Sequence, residues 1–348
     1  MATKEGSATA SDLPVAWHVG RHGEVAGGMT QVVNGYLGWA FERMAVRVIA
    51  TRDGSNGLTA LKIFFRGLSR FFKIRDTHSN MFVVHLSQGG SFVREGLLLW
   101  LAHLRGFGTV AHIHGSRFVV FAQRFPYLVK FVLSRADKII VLSDATFNKI
   151  AELVPRERIL LVPNAVPAGN PSQKSKTIVF GGSVSLRKGV DVLVKAWAAL
   201  QNKDGWELKI AGPVADPEVV PPSIDAATFL GSVTHGQLMQ MLEQSSIAVL
   251  PSRDEAMPMF ILEALARDNC VISTRVGGIP ALLAEDKGVL VDAGNVEQLR
   301  VALERVITDG DYRARVTSLG RAAFDASFSA KTIYPRVETL WLSVLPVV

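Results

Sequence analysis

The feature that most constrains the fold of this chain is the alternation of short apolar segments with longer amphipathic segments in both halves. In the first half the apolar segments are rich in Val and Ile and predict β-strands at Val15–Val19, Val46–Ala50, Phe82–Leu86, Thr109–Ile113, Lys138–Leu142 and Ile159–Val162. Helical patterns such as Met29–Arg43 and Phe92–Leu104 lie between them. Strands that alternate with helices predict βαβ units and therefore a parallel sheet.

The second half repeats this alternation. Its apolar segments predict strands at Thr177–Phe180, Glu207–Ala211, Ala227–Leu230, Ile247–Leu250, Val271–Ser273 and Gly288–Val291. Helical patterns follow at Val190–Leu200, Gln237–Gln244, Pro258–Arg267, Val296–Ile307, Asp311–Ser327 and Lys331–Leu345. Between the halves, Val166–Lys176 is polar and rich in Pro and Ser, which is typical of an interdomain linker.

The chain has 348 residues, which is too long for one ordinary hydrophobic core. We therefore predict an α/β protein with two Rossmann-like, doubly wound parallel-sheet domains that face a central cleft. The predicted bounds are 1–165 for the first domain, 166–176 for the linker, 177–327 for the second domain and 328–348 for a C-terminal helix. Because ligands of such sheets bind outside the carboxyl ends of the strands, the cleft is the expected binding site.

Composition narrows the class of protein. Hydrophobic residues make up 48% of the chain and charged residues 20%, which is typical of a globular protein. No apolar run approaches the roughly 18 residues of a membrane span. The N-terminal sequence MATKEGSATASD lacks the apolar core of a signal peptide, so we expect a disordered leader and a cytoplasmic protein. The single cysteine, Cys270, excludes an intramolecular disulfide.

Positive charge is concentrated in the first half. Residues 1–170 carry 20 Lys and Arg against 11 Asp and Glu, whereas residues 171–348 carry 18 against 20. This asymmetry predicts an anionic partner for the first domain. The basic residues are interleaved with helical patterns and form no recognised nucleic-acid motif, so nucleic acid is not the expected partner.

The segment Pro251–Ala266, with the sequence PSRDEAMPMFILEALA, carries the strongest functional signal. It follows a predicted strand and opens a predicted helix near Pro258, so its loop lies at the carboxyl end of a strand. The N–H groups of a first helical turn can bind a phosphate. Glu255 and Glu263 are eight positions apart, and two carboxylates are suitable acceptors for sugar hydroxyls. The alternative is an amphipathic helix with two solvated glutamates.

This segment resembles the E-x7-E signature of glycosyltransferase family 4, whose members are retaining enzymes with the GT-B fold. The resemblance implies that Glu255 lies near the donor sugar and that Glu263 holds the ribose of a nucleotide sugar. It also implies that the final helix packs back on the first domain. Cofactors are not expected beyond the nucleotide sugar itself, a co-substrate, and no essential metal is expected.

Further segments resemble the same family in the same order. Phe180–Val190 follows a strand and matches the family's donor-phosphate segment at Lys188, although Ser183 stands where the family usually has Arg. Arg187 is a candidate substitute for that Arg. Two cations before a helix can neutralise a diphosphate, and the alternative is a solvated pair at the start of a helix. The implied donor-binding set is Gly27, Gly28, Arg187, Lys188, Glu255, Met257, Pro258, Met259 and Glu263.

Two other loops resemble family segments less closely. Gly27 and Gly28, between the first strand and first helix, correspond to a glycine loop near the donor diphosphate. Gly277 and Gly278 could present backbone N–H groups to the distal part of the donor, or could form a plain turn.

His114 corresponds to a family position at which histidine contacts the sugar near the reaction centre. The implied catalytic set is therefore His114, Glu255 and Lys188. Strand alternation puts His112 and His114 on one face, but no third ligand lies nearby in sequence, so we predict no metal site. A purely structural role for His114 is the alternative.

The segment Leu61–Arg75 has the pattern of a helix at a membrane surface. Its apolar residues recur at helical spacing, and its basic residues are predicted to form a membrane face at Lys62, Arg66, Arg70 and Lys73. An ordinary helix packed on its own sheet is the alternative.

The expected function is retaining, metal-independent transfer of a hexose from a UDP- or GDP-sugar to a glycan or lipid-linked acceptor, in polysaccharide or glycolipid synthesis. The protein would be cytoplasmic, or peripheral on the inner face of the cytoplasmic membrane. Two alternatives remain: a non-catalytic nucleotide-sugar-binding subunit of a polysaccharide assembly complex, and a sugar-nucleotide epimerase.

Overall fold

The computed structural model describes residues 13–347 apart from 24–26, 54 and 56, so the predicted leader lies outside the described residues. The chain forms two compact units. Unit 1 comprises Met1–Pro163 and Ile333–Val348, and unit 2 comprises Asn164–Thr332.

Unit 1 contains a six-stranded parallel sheet in the order β2-β1-β3-β4-β5-β6. Its strands are β1 (Val15–Gly20), β2 (Ala45–Ala50), β3 (Asn80–Leu86), β4 (Gly108–Ile113), β5 (Lys138–Val141) and β6 (Ile159–Leu161). The helices of its first segment are α1 (Gly28–Gly38), α2 (Gly57–Lys73), α3 (Gly90–Leu104), α4 (Phe118–Arg124), α5 (Pro126–Leu133) and α6 (Asp144–Ala151). The central strands are buried on both sides because helices cover both faces of a doubly wound sheet.

Unit 2 contains a second six-stranded parallel sheet, in the order β12-β11-β10-β7-β8-β9. Its strands are β7 (Ser175–Gly181), β8 (Glu207–Ala211), β9 (Ala227–Gly231), β10 (Ser245–Leu250), β11 (Cys270–Thr274) and β12 (Val289–Val291). Its helices are α7 (Val190–Ala198), α8 (His235–Gln244), α9 (Met259–Leu265), α10 (Ile279–Leu283), α11 (Val296–Thr308) and α12 (Gly310–Ser327). The last helix, α13 (Ala330–Leu342), begins in unit 2 and continues into unit 1.

The predicted class, with two doubly wound parallel-sheet domains, is confirmed. All the predicted strands are present, and each bound agrees within two residues. The helical predictions were less accurate: α4, α5 and α6 were not predicted, and α1 ends at Gly38 rather than Arg43. Glycine has low helix propensity, and the chain becomes extended at Trp39.

Residues 166–174 belong to unit 2 rather than forming a separate linker. The Val166 N–H donates to the Phe328 carbonyl at 3.3 Å, and the Gly169 N–H donates to the Ala266 carbonyl at 2.9 Å. The segment forms no regular helix or strand, but these two backbone N–H groups have acceptors within the unit.

The C-terminal segment contributes to unit 1 through α13. The Glu338 carboxylate is buried and accepts the backbone N–H groups of Arg43 and Met44 at 2.7 and 3.0 Å. The Arg43 side chain pairs with the same carboxylate at 3.3 Å. Tyr334 packs on Tyr36, with ring centroids 5.0 Å apart. These contacts join residues that are nearly 300 positions apart in sequence.

In the described part of the chain, no helix combines the length and apolar character that a membrane span requires.

Candidate functional site

The connection between β9 and β10 determines where unit 2 can bind a ligand. The chain builds β7, β8 and β9 in one direction and then crosses to place β10 on the other side of β7. The direction in which strands are added to the sheet therefore reverses between β7 and β10. In open α/β sheets this switch point is where ligands bind.

Two glycines allow the loops at this edge to pack closely. A Cβ on Gly189 would lie 1.9 Å from the Pro251 carbonyl oxygen, and one on Gly277 would lie 1.6 Å from the Glu255 carbonyl oxygen. Both glycines have positive φ, of 72° and 53°, which side-chain-bearing residues rarely adopt. The loop after β10 is thus held between the loops that follow β7 and β11.

Lys188 and Glu255 form an ion pair in this crevice. The Lys188 Nζ donates to Glu255 Oε1, and the Ser252 hydroxyl donates to the same oxygen at 2.8 Å. The two charged side chains are only 15% and 9% exposed. Both of these hydrogen bonds end on Oε1 of Glu255. With respect to the described residues, Oε2 is therefore available to accept a hydrogen bond from a ligand hydroxyl. The structure brings together the two unit 2 residues of the predicted catalytic set.

Glu263 lies in α9, which follows the Glu255 loop. Its side chain is buried, and Oε1 is 2.8 Å from Nε2 of His235, the first residue of α8. The Thr234 side chain caps α8 in a capping box with Gln237, which fixes the position of His235. Sequence analysis did not identify His235, because a single histidine at a helix start carries no motif.

Pro258, Met259 and Met257 are the other residues of this loop that were predicted to bind the sugar donor. Pro258 is the N-cap of α9 rather than its first helical residue, and Met259 begins the helix and is buried. Met257 accepts the Asn164 N–H through its sulfur at 3.1 Å and the Asn164 side-chain amide through its carbonyl at 3.2 Å. Asn164 therefore holds the start of unit 2 against the candidate site.

Arg187 is exposed and donates to the Asp254 carbonyl at 3.0 Å. The neighbouring Arg253 pairs with Asp191 through two bonds of 2.7 and 2.8 Å. Arg187 is thus a cation at the rim of the crevice. Ser183 has a short side chain and adds no charge at the position where the resembling family has Arg.

At Gly278 the structure agrees with the alternative that the sequence left open, a plain turn. The Gly278 N–H donates to the Ala256 carbonyl at 2.9 Å and is not free to bind a ligand. Gly277 allows the close approach described above, so this loop positions the Glu255 segment.

In unit 1, Gly27 and Gly28 are at the start of α1. Gly27 is the N-cap with φ of 141°, a conformation that favours glycine, and both residues are exposed. Residues 24–26, which complete this loop, lie outside the described residues.

His114 follows β4 and is 6% exposed. Its Nε2 is 2.9 Å from Nδ1 of His85, whose Nε2 is 2.9 Å from Nδ1 of His18. Burial lowers the pKa of His114 to about 3, so the imidazole is neutral at physiological pH. No third ligand lies near His112 and His114 in sequence, but β3 brings His85 beside them in the structure.

The apolar stripe predicted for the membrane helix is divided in the structure. In α2, Phe71 is fully buried and Phe64 and Leu68 pack against the unit 1 core. By contrast, Phe65 and Phe72 are 56% and 49% exposed. The exposed apolar residues Leu58, Leu61, Phe65 and Phe72 share one helical face, which we call the α2 apolar edge.

The predicted basic residues adjoin this edge, but they are not equivalent. Lys62, Arg66 and Lys73 are exposed. The Arg70 guanidinium lies 5.0 Å from the centroid of the Trp17 ring, which is a cation–π contact within unit 1.

Comparison with known proteins finds a family match in the second half of the chain. Residues 164–323 match the model for glycosyl transferases group 1. The match covers most of unit 2. An uncharacterized glycosyltransferase of Haemophilus influenzae is 26% identical over 200 residues, which are 54% of this chain and 57% of that protein. The chain spans about half the length of the curated relatives it matches.

Solved structures extend the likeness to both units. Sucrose-phosphate synthase from Thermosynechococcus elongatus is 19% identical, with a TM-score of 0.72 over 95% of this chain and 98% of that chain. Anabaena HepE in complex with UDP and glucose is 13% identical, with a TM-score of 0.71 over 95% of this chain and all of HepE. At these identities the likeness establishes a shared fold of two Rossmann-like domains.

Proposed function

We propose that this protein is a retaining glycosyltransferase that transfers a hexose from a nucleotide sugar to a glycan or lipid-linked acceptor. The observation that carries the proposal is the Lys188–Glu255 pair at the switch point of unit 2. The match of residues 164–323 to group 1 glycosyl transferases supports the same activity.

Transfer from a nucleotide sugar requires stabilisation of a departing diphosphate. Lys188 supplies a positive charge that is held in place before the reaction, which is the efficient way to stabilise developing negative charge. Arg187 adds a second cation at the rim. An arriving diphosphate competes with Glu255 for the Lys188 ammonium group, and this competition frees Glu255 to accept sugar hydroxyls.

Glu263 is proposed to hold the ribose. An ionised carboxylate accepts hydrogen bonds at both oxygens, and the two ribose hydroxyls are donors. His235 orients one of the oxygens. A ribose fixed in this way holds the glycosidic bond in a constant position relative to Lys188.

The donor is proposed to be a UDP- or GDP-hexose, and UDP-glucose is the first to test because HepE, which shares the fold, was solved with UDP and glucose. We propose that no metal acts at the diphosphate, since Lys188 can provide the charge. Attack on the same face as the leaving phosphate, with that phosphate removing the acceptor proton, would retain the anomeric configuration.

The α2 apolar edge supports a membrane-bound acceptor. Exposed aromatic residues beside Lys62, Arg66 and Lys73 can insert among lipid headgroups while the cations attract anionic lipids. We propose that the protein binds peripherally to the cytoplasmic face of the membrane and extends a lipid-linked acceptor in polysaccharide or glycolipid synthesis.

A transfer assay tests this function. The purified chain is incubated with UDP- and GDP-hexoses and a membrane extract, with and without added magnesium or manganese ions, and the anomeric configuration of the product is determined. Transfer with retention, unaffected by the added ions, is the expected result. A complete lack of transfer and donor hydrolysis, from protein that is folded by circular dichroism, contradicts the proposal.

A second candidate is a non-catalytic nucleotide-sugar-binding subunit. Ser183 favours it, because the crevice has one cation fewer than the resembling family provides. Nucleotide binding by calorimetry without turnover, followed by transfer only when a partner protein is added, distinguishes this candidate from the first.

A further inference from the structure

Four buried histidines meet at the carboxyl edge of the unit 1 sheet. His18 is in β1, His85 in β3 and His112 in β4, while His114 directly follows β4. The strands β1, β3 and β4 are neighbours, and His85 and His112 are register partners in the parallel ladder. The resemblance gives a role in sugar contact to His114 alone, so the burial of His18, His85 and His112 beside it calls for a further explanation.

The hydrogen bonds within the cluster leave nitrogen atoms without partners. The His18–His85 and His85–His114 nitrogen pairs are each 2.9 Å apart. Both ring nitrogens of His112 are buried and have no hydrogen-bond partner among the described residues, although its ring centroid is only 4.2 Å from that of His114. A buried nitrogen without a partner is costly, and a bound water molecule or ion is one explanation for it.

Three of these side chains are arranged like the ligands of a metal ion. One ring nitrogen from each of His85, His112 and His114 lies within 4.8 Å of the other two. A zinc–nitrogen bond of about 2.0–2.1 Å places tetrahedral ligand atoms roughly 3.3 Å apart. The distances between the ligand nitrogens therefore need to shorten by about 1.5 Å at most when the ion binds.

The protonation state also suits coordination. Burial lowers the pKa of His114 to about 3 and lowers the pKa values of His85 and His112, so the imidazoles are neutral. A neutral imidazole has a free lone pair, which is what a metal requires. His18 can accept the Nε2–H of His85, and this fixes the Nδ1 lone pair of His85 toward the centre of the cluster.

We propose that His85, His112 and His114 bind one divalent transition-metal ion, with zinc the best match, and that His18 orients His85 as an outer partner. Three imidazoles are a recognised zinc ligand set, and a water molecule would complete the tetrahedron. The ion would link β3 to β4 at their carboxyl ends and stabilise unit 1. This proposal concerns the stability of unit 1 and does not rest on the proposed function.

Metal binding to the untagged, full-length chain tests this proposal. After removal of bound metal with EDTA, the protein is titrated with zinc chloride by calorimetry and with cobalt(II) by visible absorption. We expect one zinc per chain and the intense absorption of tetrahedral cobalt. In His85→Gln and His112→Gln the zinc affinity should fall at least about tenfold, because loss of even an outer partner of a ligand typically costs that much. The matched control is His78→Gln, an exposed histidine that should bind zinc as the wild type does.

X-ray absorption of the zinc-loaded wild type keeps the test decisive if the variants fold poorly. Three imidazole ligands near 2.0 Å are expected. Absence of zinc binding by the folded wild type overturns the proposal. Binding of unchanged affinity in folded His85→Gln and His112→Gln does so as well, because the ion would then occupy a surface site.

Discussion

At the scale of single residues, the candidate site of unit 2 consists of charged groups that satisfy one another. Lys188 and Glu255 are paired, Ser252 supports the pair, and Glu263 is paired with His235. Breaking a buried pair leaves an uncompensated charge, so neutral variants of similar shape are the informative substitutions.

The first prediction concerns Glu255→Gln. Removal of the carboxylate charge frees Lys188 for a diphosphate, so UDP should bind about three- to tenfold more tightly by calorimetry. Sugar transfer should fall about tenfold or more, because an ionised acceptor for the sugar is lost. The control is Glu207→Gln, an exposed glutamate in β8, which should change neither quantity. Weaker UDP binding in Glu255→Gln would contradict the proposed competition.

The second prediction concerns Glu263→Gln, which retains the volume of the buried side chain. Loss of a charged acceptor costs about 1.5–3 kcal/mol, so nucleoside diphosphate binding should weaken about tenfold to a hundredfold. Inorganic pyrophosphate contains no ribose, so Glu263→Gln should change its binding little. Equal losses for both ligands would mean that Glu263 supports the fold of the loop rather than the ribose.

At the scale of elements, α2 shows how a helix can be correctly predicted while its exposed face is not. The spacing of its apolar residues predicts an amphipathic helix, but only packing decides that Phe64, Leu68 and Phe71 face the core. A Cβ on Gly67 would lie 2.5 Å from the Ala50 carbonyl oxygen, so this glycine permits the close contact with β2. The residues left over form the α2 apolar edge.

The third prediction concerns the double variant Phe65→Ser with Phe72→Ser. Each exposed phenylalanine contributes about 1.5–3 kcal/mol when it is buried in an apolar phase, so binding to vesicles should weaken at least about tenfold. Cosedimentation with phosphatidylglycerol-containing vesicles measures this. Leu319→Ser, an exposed apolar residue of α12, is the matched control. Unchanged cosedimentation of the double variant would exclude the α2 apolar edge as the membrane contact.

At the scale of the whole molecule, each unit has its own sheet and core, and the last helix returns the chain to unit 1. Glu338 is the principal polar contact of that return, since it accepts two backbone N–H groups and the Arg43 side chain. Cys270 can report the unfolding of unit 2, because its thiol is fully buried in β11 of the folded unit.

The fourth prediction joins these two residues. Glu338→Ala leaves two backbone N–H groups without an acceptor and should lower the free energy of unfolding of unit 1 by about 2–4 kcal/mol. Glu338→Gln keeps one acceptor oxygen and should recover part of the loss. Urea unfolding followed by near-ultraviolet circular dichroism measures both variants.

Burial raises the pKa of the Cys270 thiol to about 12, so at pH 8 the thiol should react with Ellman's reagent only after unit 2 unfolds. Labelling of Cys270 should be unchanged in Glu338→Ala if the two units unfold separately. Accelerated labelling would show that loss of unit 1 structure also destabilises unit 2.

The sequence by itself determined the strands, the two-domain α/β class and the loop that carries Glu255. These depend on local apolar periodicity and on turn residues, which act within a few positions of the chain. Only the tertiary structure decided that Lys188 contacts Glu255, that His235 pairs with Glu263 and that His85 joins His112 and His114. Each of these contacts joins residues 27 or more positions apart, through the order of strands in a sheet, and no local pattern specifies that order.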